Sequence, residues 1–419
     1  MLPVRNYFED DMFYGWKISL LSMGGNFMLQ GTVLYCMNAF MEPLCVAYGW
    51  TRAELNISMA VAALVGQLAM PLAASLSARF PLRRLMTAGA LVGGIATILQ
   101  GMTGNLVFFT LLFTLAWSAT QICGGVVGNA LVSNWFYYFR GRAFGLVNAG
   151  TSLSGVVLPL ASMALINAFD VSTAYLVLGL LTCGLAPLSW FMVRDTPQAM
   201  HMHPDGRKHE PPAGRCRLAP DTSFRGLMHS PYAYCMGIAF GLALMVSSSV
   251  MSQMKPRFVD LGLAPYTSML LACAAALCAA LGKYAWGWAC DRFTPLTAAH
   301  VIMLACALSL CLGFLPPTVW AMTVFSLAFG LCVGGLWTVL PAVVSYYYGS
   351  GNFLPSYKFV SVFIVLRCVG YPIMGYSYDL TGGYRAADVV FVAVLLLSLA
   401  LSMCLREDDA VEGGARRHR

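Results

Sequence analysis

Charge is what this sequence has least of. Charged residues make up 10% of its 419 residues, where a water-soluble domain carries about 25%. That shortage, beside 59% apolar residues, excludes an ordinary soluble protein. Carboxylates are missing from the interiors of the apolar runs: every Asp and Glu falls in a tail, a loop or at a run's end. Paired cysteines are missing too. The fourteen cysteines are scattered singly, as at Cys36, Cys123 and Cys332, with no C-x-x-C, so neither a disulfide framework nor a zinc site is indicated. The one histidine cluster, HMHPDGRKH, fits no standard ligand spacing, and no metal is expected. The basic residues form no stripe beside aromatics, which argues against nucleic acid as a partner. No nucleophile elbow, P-loop or H-E-x-x-H is present, so neither an enzyme nor a cofactor is expected. The opening MLPVRNYFEDDMFYGW carries acids where a secretory leader has a basic region, and the first apolar run reads as a permanent span.

Long apolar runs are what the sequence has instead. A span needs about 20 mostly apolar residues, and twelve segments qualify: 14–40, 55–78, 85–103, 106–136, 143–167, 171–193, 231–254, 263–290, 298–315, 318–346, 356–378 and 386–405. The expectation is an all-α polytopic membrane protein of twelve transmembrane helices in two six-helix halves. The halves are 1–193 and 231–405. Between them, 194–230 is rich in proline and charge and reads as a flexible linker, and 406–419 is a tail. Arg79, Arg83, Arg84, Arg140, Arg142, Arg194 through Arg225 and Arg292 lie on one side. Arg52, Lys255, Arg257 and Arg385 lie on the other. The richer side faces the cytoplasm by the positive-inside rule, which places both termini there in a cell membrane.

The two halves echo each other. LSARFPLRR (76–84) follows the second span and ACDRFTPL (289–296) the eighth, 213 residues later. Two six-helix repeats in parallel are the plan of one large transporter class. With GWACDR (287–292), which carries Gly287, Asp291 and Arg292 in a G-x-x-x-D-R turn, the chain resembles the major facilitator superfamily. The first-half copy departs from that motif, with Ala78 in place of an acid and Pro81 in place of Gly. AYGWTRAELNIS (47–58), NWFYYFRGRAFGLVNAGTSLSG (134–155) and YDLTGGYRAA (378–387) narrow the resemblance to the monocarboxylate-transporter and oxalate/formate-antiporter branch.

Two cations fall inside spans. Lys283, in CAALGKYAWGWACDRF, lies eight residues before Asp291, or about 12 Å of helix. Arg367, in SVFIVLRCVGYP, lies eleven residues after Ser356, or about 16 Å. No carboxylate is available at that depth. A charge there costs about 2.5–3.5 kcal/mol even on the lenient insertion scale and normally finds a partner. Backbone carbonyls or water in a wet cavity are one solution; an anionic substrate is the simpler one. The resemblance favours the second, since members of the branch carry a carboxylate-holding Arg four residues before the turn glycine, the position of Lys283. It also implies a second cation near Arg367 in the antiporter-like members. Proton-coupled members carry an Asp where this chain has Ala279.

The first half offers neutral groups: Tyr35, Gln121 and Thr151, with Trp337 from the second half as a further aromatic wall. Tyr35 and Trp337 match aromatic positions of the branch, eight residues before Pro43 and four before Pro341. The expected function is secondary active transport of small organic anions, mono- or dicarboxylates, by alternating access and exchange, with the carrier working as a monomer among membrane lipids. Exchange is favoured because no titratable carboxylate lies at depth. A proton-coupled monocarboxylate symporter and a carrier-like nutrient sensor are the rival expectations.

Overall fold

Helix boundaries follow from stop and start signals written into the chain. The computed structural model describes residues 13–206 and 223–405, and every regular element among them is helical. Helix α1 runs Tyr14–Gly25, widens to a π-helix over Asn26–Tyr35 and resumes over Met37–Tyr48. It stops on Gly49 at φ 71°, a left-handed conformation that glycine adopts without steric cost. Helix α2 (Arg52–Arg79) starts from a reciprocal capping box between Thr51 and Glu54, each side chain satisfying a backbone N–H of the other. Helices α3 (Leu82–Gln100), α4 (Leu106–Trp135), α5 (Arg140–Ala168) and α6 (Val171–Met192) complete the first half. In the second half, α7 (Pro231–Ser252), α8 (Pro265–Arg292) and α9 (Pro295–Phe314) each open on proline, whose absent N–H is not needed in a first turn. Helix α10 spans Val319–Tyr348. Helix α11 runs Phe353–Val362, tightens to 3-10 winding over Phe363–Val369 and continues Gly370–Thr381; α12 is Arg385–Met403.

Eleven helices among the described residues are long and apolar enough to cross a membrane. The twelfth expected span is α1, whose π segment divides its apolar run into shorter pieces. Its sequence-based end at 40 falls short, because Pro43 lies inside the helix instead of terminating it. Leu64, Leu68 and Leu72 lie exposed at four-residue spacing on α2, an outward apolar face suited to lipid.

The repeat is kept without insertion. Helix α2 and α8 begin at Arg52 and Pro265 and end at Arg79 and Arg292, 213 residues apart at both ends. The same offset relates α4 to α10 and Arg140–Ala168 of α5 to Phe353–Thr381 of α11. The halves meet along two seams, α5 against α8 and α2 against α11.

Carboxylates at the arginine-rich end serve as helix caps. Asp195 accepts from the Leu82 and Arg83 N–H groups at 3.2 and 2.9 Å, where the α3 dipole favours a negative charge. Asp205 accepts from the Tyr137 and Tyr138 N–H groups at 3.0 and 2.7 Å. Trp135 Nε1 donates to the Arg194 carbonyl at 2.8 Å. Residues 194–206, read from sequence as flexible, are thus pinned to the first half; 207–222 and the tail lie outside the described residues. At the opposite end, Arg257 differs from a solvated loop cation. It is buried in the short helix Met254–Asp260 and grips Asp388 of α12 through two bonds of 2.9 and 2.6 Å.

Candidate functional site

Three of the sequence-selected residues sit where a helix leaves regular α winding. Tyr35 ends the π segment of α1, Gln121 opens a π turn (Gln121–Gly125) in α4, and Arg367 lies in the 3-10 stretch of α11. Such winding is infrequent and gathers at functional sites.

Lys283 is buried, with 5% of its surface exposed. Its ammonium donates across the α5–α8 seam to the Asn148 carbonyl at 2.8 Å and to the Thr151 hydroxyl. Thr151 in turn donates to the same Asn148 carbonyl at 2.9 Å. Both acceptors are neutral, so hydrogen bonds are satisfied while the charge is not cancelled. Behind them the Asn148 amide donates to Asn129 Oδ1 at 3.2 Å and to the Phe144 carbonyl at 2.9 Å. Asn129 and Asn148 thus back the Lys283 contact from within the first half.

Arg367 is half-buried at the other seam. Its guanidinium carbon lies 5.8 Å from the centroid of the Trp337 ring, within range of a cation–π contact. Its Nη1 donates to Gln67 Oε1 of α2 at 3.5 Å, the long limit of a hydrogen bond. The Tyr35 ring packs over Gly155 of α5, where a Cβ would lie 2.9 Å from the ring. Among the described residues neither Lys283 nor Arg367 forms an ion pair.

The structure thus joins Thr151 to Lys283 and Trp337 to Arg367, and sets Tyr35 against Gly155 of α5. It does not join Gln121 to either cation: that side chain turns back over Gly125. The turn residues act between the halves. Asp291 accepts from the Gly141 and Arg142 N–H groups at 2.6 and 2.9 Å, capping α5 from α8. Gly287 packs against the Gly141 backbone. Arg292 lies over the neighbouring Phe293 ring, 6.0 Å from its centroid.

Sequence reasoning missed Gln67, Asn129 and Asn148. Their signal was available, since each is an amide inside an apolar helix and polar side chains there seek partners across helices. A hollow of about 490 Å³ lined by Pro43, Tyr48, Asp170 and Ser172 lies at the far end of the first half, away from both cations. It contains none of the site residues.

A family model described as Major Facilitator Superfamily matches residues 18–258. The chain is 24% identical over 396 residues to monocarboxylate transporter 13 of Rattus norvegicus, covering 91% of this chain and 87% of that one. It is 25% identical over 403 residues to monocarboxylate transporter 11 of Mus musculus, with 91% and 85% covered. Over 315 residues it is 24% identical to a probable nitrate/nitrite transporter, NarK2, of Mycobacterium tuberculosis (strain CDC 1551 / Oshkosh), covering 70% and 72%. The fold matches the proton:xylose symporter XylE with a TM-score of 0.73 at 12% identity, covering 96% and 97%. It matches FucP in the outward conformation with a TM-score of 0.70 at 13% identity, covering 93% and 99%. A family-model match over more than half of the chain identifies this protein as a member of the major facilitator superfamily, a membrane transporter related to the monocarboxylate transporters.

Proposed function

We propose that the chain is a secondary active transporter of small organic anions, mono- or dicarboxylates, working by alternating access and by exchange. The observation that carries this reading is the pair Lys283 and Arg367, held inside the bundle by neutral partners alone among the described residues. Lysine offers a compact point charge and arginine a planar fork, so together they suit a carboxylate at one end and a second anionic or polar group at the other. Trp337 and Tyr35 would wall the site and exclude water. Relatives named for monocarboxylates and for nitrate/nitrite share one chemistry with this reading, a small anion. Exchange follows from charge: an empty carrier must move two uncancelled cations through its occluded state, whereas a carrier loaded with a dianion moves none.

The test is uptake of labelled oxalate, formate, lactate and malate into proteoliposomes, with and without internal acid and with an imposed proton gradient. Exchange predicts uptake that requires internal acid, ignores the proton gradient and is lost in Lys283→Met and in Arg367→Met. Uptake into empty vesicles driven by the proton gradient would replace exchange with symport. Transport of no acid in the panel would overturn the reading and turn attention to a sensor role.

A further inference from the structure

Lys283 and Arg367 each reach the opposite half, and each across a different seam. Lys283 on α8 bonds the Asn148 carbonyl and the Thr151 hydroxyl on α5, and the Arg367 guanidinium on α11 makes a long contact of 3.5 Å with Gln67 Oε1 on α2. The 213-residue repeat relates α2 to α8 and α5 to α11. It sets Met70 at the position of Lys283 and Ser154 at that of Arg367. Gln67 stands three residues before Met70 and Thr151 three residues before Ser154, slightly less than one helical turn in each case. The repeat counterparts of Gln67 and Thr151 are Ala280 and Ile364, so each acceptor belongs to the first half alone and lies within one turn of the counterpart of a cation.

We propose that Gln67 and Thr151 are the neutral acceptors against which the transported anion competes, so that binding the anion unfastens both seams. This rests on the transport reading above. With no anion present, the cations fasten the second half to the first through the Gln67 amide, the Thr151 hydroxyl and the Asn148 carbonyl. A bond from a cation to a neutral acceptor is weaker than one to a carboxylate, so an anion reaching Lys283 and Arg367 displaces both. The bonds lost are polar ties that add to the backbone packing of the seams at that depth. Asp291 on Gly141 and Arg142, and Ser133 against Ser345 at 2.8 Å, then remain toward the arginine-rich end as ties that open with the same movement. Gln67 and Thr151 act as positioning residues for the empty carrier: they set how slowly it reorients without cargo.

The experiment compares exchange with net efflux in proteoliposomes loaded with whichever panel acid the wild type carries. In Gln67→Leu and Thr151→Val, net efflux into acid-free buffer is expected to rise at least about fivefold relative to exchange, the lower range of coupling between two sites. Thr151→Ser keeps the hydroxyl and keeps the wild-type ratio. Gln67→Glu supplies a built-in anionic rival at Arg367; its half-saturating concentration rises and its net efflux falls. Ratios unchanged in all four variants, or Leu and Glu at position 67 moving the ratio in the same direction, would overturn the proposal while leaving the transport reading intact. A second readout needs no substrate. In acid-free protein, hydrogen exchange is expected to quicken at amides 141–150 and 283–292 in Thr151→Val and at the α2 and α11 amides around Gln67 and Arg367 in Gln67→Leu, and to slow at the latter in Gln67→Glu. If the wild type carries no acid of the panel yet these opposite signs appear, the transport reading fails and the fastening stands. Equal exchange in all variants sinks the fastening itself.

Discussion

Gly141 of α5 and Gly287 of α8 face one another across the two halves so closely that a Cβ on either would strike the carbonyl oxygen of the other. One turn deeper, Gly145 lies against the backbone of Lys283 and Tyr284. The seam is thus built from backbone contact, with Asp291 capping its end and Lys283 bonding across its inner part.

Bulk at that contact should act on closure of the seam. Gly287→Val is expected to cost about 1–3 kcal/mol in the closed arrangement, the usual penalty of overpacking. Helix formation itself should survive. Faster hydrogen exchange at amides 141–150, with the far-ultraviolet spectrum unchanged, would bear this out; an unchanged exchange rate would show that the seam yields without cost.

Asp291 offers a second handle on the same seam. Asp291→Asn keeps an acceptor but removes the negative charge from two α5 N–H groups and from Arg142 at 3.6 Å, and a charge at a helix N-terminus contributes about 0.3–1 kcal/mol. A lowered midpoint of thermal unfolding in detergent is expected, together with a larger fraction open at the arginine-rich end by accessibility labelling. Wild-type behaviour in both would assign the cap no weight.

The buried pair Arg257–Asp388 should behave oppositely under single and double substitution. Asp388→Asn strands a buried guanidinium and is expected to cost about 3–5 kcal/mol, whereas Arg257→Met with Asp388→Leu should come near neutral or better. Denaturation midpoints of the three proteins settle it. A double variant as damaged as the single one would mean the pair supplies more than matched charge.

Asp205 carries a pH dependence of definite sign. Burial lifts its carboxyl above the ordinary aspartate range, against the opposing pull of three backbone N–H groups and the nearby Arg140 charge. The folded protein therefore binds this proton more tightly than the unfolded chain. Stability from this group is greatest below the unfolded value of about 3.9 and is lost as pH rises through the raised folded value. Thermal midpoints across that window should fall more steeply with pH in the wild type than in Asp205→Asn. Parallel curves would reject it.

Much of the fold was legible because its signals are local. Thr51 and Glu54 announce the start of α2 by a capping box, and the prolines at 231, 265 and 295 mark first turns. Part of the candidate site was legible for the same reason, since Lys283 and Arg367 are cations inside apolar runs. Gln121 illustrates the limit. Its type and its place on an apolar helix suited a pocket, yet the π turn at 121–125 directs its amide back onto Gly125. Backbone winding of that kind has no residue signature.

By itself the sequence determined the membrane setting, the 213-residue repeat and the cations Lys283 and Arg367 inside apolar runs, because hydrophobic length and charge are carried residue by residue. Only the tertiary structure decided what those cations touch. Lys283 bonds a backbone carbonyl 135 positions away, Arg367 a glutamine 300 away, and Arg257 an aspartate 131 away. A carbonyl is present at every residue, so nothing marks the Asn148 carbonyl in advance. Those pairings exist because distant helices converge, which is a property of the packed bundle.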